Sequence, residues 1–198
     1  MAAFHRIAGS PLLRSAIANS KRTFHGSAIV SIKAGDAFPD VELMEGRRVS
    51  AALPARPPGT KLSLARVLQK QPKAIVVGVP AAFSPACSAT HVPGYIAAKS
   101  GIPTYVVSVN DAFVMKAWKE SLLKDGTPEF RFLADPAGAL TAALDMEFDS
   151  EKIFGNKRSK RYALYVQNGK VKQVFVEPDN TGVSESAAGK VLEAISKA

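Results

Sequence analysis

The sequence predicts an α/β domain: a central mixed sheet with helices on both faces. Three observations predict it. Residues 74–80 and 104–110 are short, continuously apolar runs rich in β-branched residues, the pattern of strands covered on both sides. A helical pattern with its own start signal follows each run, which makes successive β-α-β crossovers. Further on, Gln167-Asn-Gly-Lys170 separates two more strand-like runs, and Asn-Gly between such runs signals a hairpin, so the late part of the sheet is antiparallel. A chain of 198 residues with 46% hydrophobic side chains is long enough to bury one such core without disulfides or metal.

Each element has a local reason. Residues 32–60 hold Pro39, Pro54, Pro57, Pro58 and Gly59 and read as an extended lead-in with one short hairpin. After the first buried strand, Ser84 and Pro85 supply a hydroxyl N-cap and a proline at the first helical position, starting a helix that runs to about residue 98. After the second, Asp111 caps a helix over 112–124, with Val114, Trp118 and Leu122 on its inner face and Gly126 as its stop. Residues 131–134 form a short strand and 137–144 a short helix, with Asp135 as a capping or turn residue. Strands at 162–166 and 171–176 flank the Asn-Gly turn. A last helix over 185–196 buries Ala188, Val191, Leu192 and Ile195. This order is the outline of a thioredoxin-like domain.

Charge is uneven along the chain. The formal net charge is +9, but the first 31 residues carry Arg6, Arg14, Lys21 and Arg22 and no acid. Setting those four aside leaves 22 basic against 17 acidic residues, a net +5 scattered without interleaved aromatics, so a nucleic-acid surface is not expected. An acid-free N-terminus containing Arg, Ser and Ala has the composition of a mitochondrial presequence, with Phe4, Ile7, Leu12, Leu13 and Ile17 able to line one helix face. Arg22-Thr-Phe-His-Gly-Ser27 resembles a two-step processing motif, with a first cut after Thr23 and a second that leaves Ile32 as the new terminus. The expected organisation is therefore a targeting segment over 1–31 and a domain over 32–198. The C-terminal Ser-Lys-Ala is a poor match to the peroxisomal address. No apolar run approaches the roughly 18 residues a membrane span needs, so a soluble protein is expected.

The chain has one cysteine, Cys87, which excludes an intrachain disulfide and cysteine-cluster zinc sites; no metal or cofactor is expected. With Ser84 as N-cap, Pro85, Ala86 and Cys87 are the first helical positions, where amides lack intrahelical acceptors and the helix dipole favours negative charge. Such a place favours a reactive thiolate over an inert buried thiol. It also follows the C-terminal end of a buried strand, where open α/β sheets put their sites. Pro80, Phe83 and Pro85 are expected to form dry walls around it. His91, at i+4 from Cys87, keeps a Cys-His hydrolase open as a reading, although no orienting third residue can be assigned; the plainer reading is a structural histidine.

Here the pattern becomes specific. Pro80-x-x-x-Ser84-x-x-Cys87 resembles the peroxiredoxin active-site signature. Residues 80–94, Ser108-Val-Asn-Asp-Ala-Phe-Val-Met-Lys-Ala-Trp118, Leu133-Ala-Asp-Pro136, Ile153-Phe-Gly-Asn156 and Ser159-Lys-Arg-Tyr-Ala-Leu164 resemble the atypical peroxiredoxin 5, or type II, subfamily, over about residues 33–198. The resemblance implies that Cys87 is the peroxidatic cysteine, that Ser84 orients sulfur and peroxide, that Arg161 holds the thiolate and polarises the peroxide, and that Pro80 shields the sulfur. Phe83, Ile153 and Phe154 would wall the substrate pocket. Attack on O–O builds charge on the leaving oxygen, so fixed donors placed there lower the barrier.

The chain departs from the subfamily in two places. Ser84 stands where threonine is usual and lacks the methyl that stiffens the rotamer. Glu185 stands where relatives carry a resolving cysteine. The resemblance then implies a one-cysteine thiol-dependent peroxidase for hydrogen peroxide and organic hydroperoxides, reduced by an external thiol such as glutathione with glutaredoxin, or thioredoxin. It also implies a homodimer and an antioxidant role in the mitochondrial matrix. A thioredoxin-fold redox sensor or chaperone signalling through Cys87 oxidation is the alternative.

Overall fold

The computed structural model describes residues 31–46, 59–123 and 127–197; the expected presequence up to residue 30, the lead-in residues 47–58 and the helix stop at Gly126 lie outside them. The expected first hairpin is there: β1 (Glu42–Gly46) pairs antiparallel with β2 (Gly59–Ser63). Ser63 accepts from the Arg66 N–H through its hydroxyl and caps a one-turn helix, α1 (Leu64–Leu68), not expected from sequence. A single turn is too short to show a period, although Leu64, Ala65 and Leu68 are all buried.

The two apolar runs become β3 (Ala74–Val79) and β4 (Thr104–Ser108), buried at every position and parallel, with β5 (Phe130–Ala134) parallel beyond β4. Between β3 and β4 the chain makes a wide π-type turn at Cys87–His91 and continues as α2 (Val92–Ala98). The expected Asp111 cap holds: its carboxylate accepts from Phe113 and Val114 N–H groups and starts α3 (Ala112–Leu122). After β5, the Asp135 carboxylate accepts from Leu140 and Thr141 and so caps α4 (Ala139–Ala143), as read. Next comes a small hairpin not expected from sequence, β6 (Glu147–Phe148) with β7 (Arg158–Ser159), bracketing the one-turn α5 (Glu151–Phe154). Strands β8 (Tyr162–Gln167) and β9 (Lys170–Val176) meet through the Asn-Gly turn, with Asn168 and Gly169 both at positive φ, 48° and 76°. Helix α6 (Ala188–Ser196) closes the domain.

The sheet order is β2-β1-β5-β4-β3-β8-β9. Alternate residues of β3 serve two cores, as a doubly covered strand requires. Ile75, Val77 and Val79 pack with Tyr95 of α2, Met115 and Trp118 of α3, and Val191 and Ile195 of α6. Val76 packs on the other face with Leu64 and Leu68 of α1 and Leu140 of α4. Two expected burial faces and one helix start need correction, and on α6 Leu192 is a half-buried flank beside buried Ala188, Val191 and Ile195. On α3 the buried residues are Ala112, Met115 and Trp118, while Val114 and Leu122 are half-buried flanks. Trp118 sets that face by lying edge-on to Phe132, with ring centroids 5.2 Å apart. The last helix begins at Ala188, not at residue 185, because Ser184 and Ser186 give their N–H groups to the Glu177 carboxylate.

Register places the site. Gly78 of β3 lies opposite Tyr162 of β8, so Arg161 stands at the C-terminal end of β3, beside the segment that carries Cys87. Gly78 has to be glycine there, since a Cβ would be driven into the Tyr162 ring. Gly78→Ala is expected to lower stability by about 1–3 kcal/mol in urea denaturation, through overpacking at this crossing. An unchanged midpoint would contradict the close approach.

Candidate active site

The segment after β3 is stitched to the end of β4. Pro80 and Ala81 are buried, and the Ala82 N–H donates to Asn110 Oδ1 at 3.0 Å, which also accepts from Ser108 Oγ at 2.8 Å. Phe83 takes a left-handed backbone, φ 61°, and its ring is 54% exposed, 6.5 Å from the Trp118 ring. Pro85 is exposed, so of the three expected dry walls only Pro80 is buried. The Ser84 carbonyl accepts from the Ser88 N–H at 3.0 Å, the bond that opens the helix. Its hydroxyl, however, does not cap that helix as expected; it donates to the Ala81 carbonyl at 2.9 Å. This bond uses the hydroxyl hydrogen and leaves the oxygen's lone pairs as acceptors.

In the wide turn the Val92 N–H reaches back five residues to the Cys87 carbonyl, and both Cys87 and His91 point inward. Cys87 is fully buried. Its Sγ accepts from Arg161 Nη1 at 3.2 Å. The same Nη1 lies 3.2 Å from His91 Nδ1. Arg161 Nε donates to the Thr181 carbonyl at 3.0 Å, and the Arg161 backbone N–H donates to the Asn180 carbonyl at 2.7 Å. The guanidinium is 2% exposed, and among the described residues no carboxylate forms an ion pair with it. A buried cation without a carboxylate partner is costly, and the Cys87 sulfur joins the Thr181 carbonyl and His91 Nδ1 as the acceptors that satisfy it.

The histidine's protonation follows from its partners. His91 Nε2 is 3.0 Å from the Ser186 carbonyl, which also accepts from the Tyr95 hydroxyl at 2.6 Å. A carbonyl only accepts, so Nε2 carries the hydrogen and Nδ1 is the acceptor for Arg161. Burial, and then the Arg161 charge, lower the His91 pKa from 6.5 to about 4, so the ring is neutral near pH 7. The guanidinium bridges ring and thiol, which leaves His91 no role as a base on Cys87 and argues against the hydrolase reading. Behind it, burial raises the pKa of Glu177, but bonds from Ser186 and Ser184 outweigh this and hold its carboxyl down at about 2.

The structure thus brings Cys87 and Arg161 together, with Ser84 in the turn just before Cys87. Ile153 is 73% exposed on α5, and Phe154 packs under the Arg158 guanidinium, 5.3 Å from its ring centroid. Both stand outside the hydrogen-bonded cluster around the sulfur. Sequence reasoning missed His91 as the acceptor for Arg161, together with Thr181, Ser186 and Glu177. The i+4 spacing from Cys87 was the available signal for His91; backbone carbonyls leave none. Glu185, the position at which the resemblance led to an expected resolving cysteine, pairs with Lys190 at 2.6 Å. Among the described residues no cluster of three or more His, Cys, Asp or Glu side chains could hold a metal, and no helix is long and apolar enough to cross a membrane.

This fold and site define a thiol-based redox protein of the redoxin class, and the Redoxin family model matches residues 33–192. The chain belongs to that family and, within it, to the atypical type II peroxiredoxins. It is 50% identical over 131 residues to "Peroxisomal membrane associated protein 20" of Schizosaccharomyces pombe, covering 63% of this chain and 83% of that protein. Reduced Prx3 of Vibrio vulnificus in complex with H2O2 superposes with a TM-score of 0.69 at 33% identity, over 83% of this chain and 99% of the other. Peroxiredoxin 5 of Alvinella pompejana gives a TM-score of 0.66 at 33% identity, over 84% and 99%. The chain is thus a thiol-dependent peroxidase, and its single cysteine fits a one-cysteine mechanism. Enzymatic turnover is favoured over the sensor or chaperone reading.

A buried neutral histidine makes stability depend on pH. With its folded pKa of about 4 below the ordinary 6.5, the unfolded state binds the extra proton between those values. The contribution is complete above pH 6.5 and is lost as pH falls through 4, in full about 3 kcal/mol. Urea unfolding of the reduced protein between pH 7 and pH 4 is expected to show this decline, with His91→Gln flattening it. A wild-type profile flat over that range would contradict the assignment.

Proposed function

We propose that Cys87 is the peroxidatic cysteine and that Arg161, Ser84 and Pro80 complete its site. The observation that carries this is the 3.2 Å contact from Arg161 Nη1 to Cys87 Sγ, between side chains 74 residues apart in sequence. In the reaction a sulfur lone pair attacks the distal oxygen of a hydroperoxide, the S–O bond forms and the O–O bond breaks. The leaving oxide takes a proton and departs as water or an alcohol, leaving a sulfenic acid on Cys87. Arg161 stabilises the charge that builds across the breaking bond. The Ser84 oxygen, with its own hydrogen given to Ala81, accepts from the peroxide O–H. Buried Pro80 keeps water from the sulfur, and Phe83, Ile153 and Phe154 wall the approach for hydrogen peroxide and organic hydroperoxides.

With no second cysteine in the chain, two external thiols return the sulfenic acid to the thiol, releasing water and becoming a disulfide. Glutathione with glutaredoxin, or thioredoxin, supplies them. The segment 1–31 directs the domain 32–198 to the mitochondrial matrix, a reading supported by its acid-free composition. The exposed apolar ring of Phe83 supports a homodimer that buries it.

Stopped-flow mixing of the reduced protein with hydrogen peroxide is expected to show thiol loss orders of magnitude faster than for free cysteine. Cys87→Ser should abolish it, and Arg161→Gln should slow it by about 100-fold. After one peroxide equivalent, mass spectrometry should find sulfenate, or a glutathione adduct when glutathione is present, at Cys87. Thiol loss no faster than that of free cysteine would sink the assignment. For assembly and targeting, Phe83→Glu should lower the mass seen by light scattering, and a reporter fused to residues 1–31 should enter mitochondria and be trimmed. A monomeric wild type, or a reporter left in the cytosol, would contradict those two readings.

A further inference from the structure

Arginine's long side chain loses much rotamer freedom when it is fixed, so something has to hold the Arg161 fork in place. Besides the sulfur, its acceptors are the Thr181 carbonyl and His91 Nδ1. Both depend on the turn that follows β9. Thr181 belongs to that turn, and His91 owes its tautomer to the carbonyl of Ser186 at the turn's far end.

Glu177 winds that turn. Its carboxylate is buried, and Oε1 accepts from the Ser184 N–H at 2.8 Å, the Ser186 N–H at 2.8 Å and Ser186 Oγ at 2.7 Å, while Oε2 accepts from Ser184 Oγ at 2.9 Å. Its backbone N–H donates to the Arg161 carbonyl at 3.0 Å, which ties the turn to β8. Among the described residues no cation pairs with this carboxylate, so the serine dipoles alone solvate it. A buried charge is a poor means of stabilising a turn, since apolar packing does it at lower cost. What the carboxylate adds is direction. With the Ser186 N–H and hydroxyl both committed to Glu177, the Ser186 carbonyl faces His91 and Tyr95.

We propose that Glu177 is a positioning residue for the peroxidase reaction: it winds residues 184–186 so that the Ser186 carbonyl fixes His91 as the Nε2–H tautomer, whose Nδ1 then holds Arg161 Nη1 against Cys87 Sγ. The inference rests on the role given above to Arg161 and deepens it. Glu177 touches neither sulfur nor peroxide and acts through two intermediaries.

The test uses the full chain, reduced and labelled with 15N-histidine. Long-range 1H–15N spectra read the tautomer, with the His91 signals identified by their loss in His91→Gln. Wild type is expected to show His91 as the Nε2–H form. Glu177→Ala is expected to lose that single form and to slow reaction with hydrogen peroxide by at least about tenfold at an unchanged thiol count. Glu177→Gln keeps an acceptor at Oε1 and should restore most of both readouts. If Glu177→Ala does not fold, Glu177→Asp, which withdraws the carboxylate by one methylene, is read for the same two changes. A folded variant that keeps the wild-type tautomer, or loses it with no change in rate, overturns the inference. Arg161→Gln in the same assay separates the two readings: an unchanged rate there overturns the role of Arg161, whereas a tautomer independent of Glu177 overturns this inference alone.

Discussion

A guanidinium at 2% exposure, bonded to a sulfur instead of a carboxylate, is the constraint around which the rest of the structure is arranged. Taking that charge out of water is costly, and each of its donors has to find an acceptor. One goes to the Thr181 carbonyl, and Nη1 is shared between a neutral imidazole and Cys87. The sulfur thus stands where a carboxylate would usually be, within reach of the fork that in the proposed reaction holds the charge of O–O cleavage. His91 serves by staying neutral, for a protonated ring would present a second cation to Arg161 and lose its acceptor.

The fold brings these groups together through strand register. Cys87 arrives on the segment that leaves the C-terminal end of β3, and Arg161 enters that same end because β8 runs antiparallel to β3 with Tyr162 opposite Gly78. The Asn110 amide ties the β3 and β4 exits, and the wide turn at Cys87–His91 turns both side chains to one inner face. The turn after β9 supplies the Thr181 carbonyl and a salt-linked Glu185. With a single cysteine in the chain, the peroxidase depends on a thiol from another molecule.

Much of this was legible in the sequence, for identifiable reasons. The buried strands β3 and β4 announce themselves as unbroken apolar runs, the β8–β9 turn by Asn-Gly, and α3 by its aspartate cap. Cys87 was marked by its place in the first helical turn. Arg161 was not readable from composition or spacing and came only with the family resemblance. What stayed hidden is what backbone atoms do. The carbonyls of Thr181 and Ser186 belong to no particular side chain, so nothing in the sequence marks them. The one-turn α1 and the β6–β7 hairpin are too short to carry a period. Serine before proline usually caps a helix; here the nearby Ala81 carbonyl takes the Ser84 hydrogen instead.

The role proposed for Arg161 is to serve the breaking O–O bond, beyond holding the Cys87 sulfur. The direct measurement compares two electrophiles on the same reduced thiol. Rate constants with hydrogen peroxide and with iodoacetamide would be determined for wild type and for Arg161→Lys, which keeps a charge but loses the planar fork. The account predicts a far larger loss with peroxide than with iodoacetamide, because only the peroxide has a leaving oxygen for the fork to hold. Equal losses with both reagents, or none with either, would contradict it.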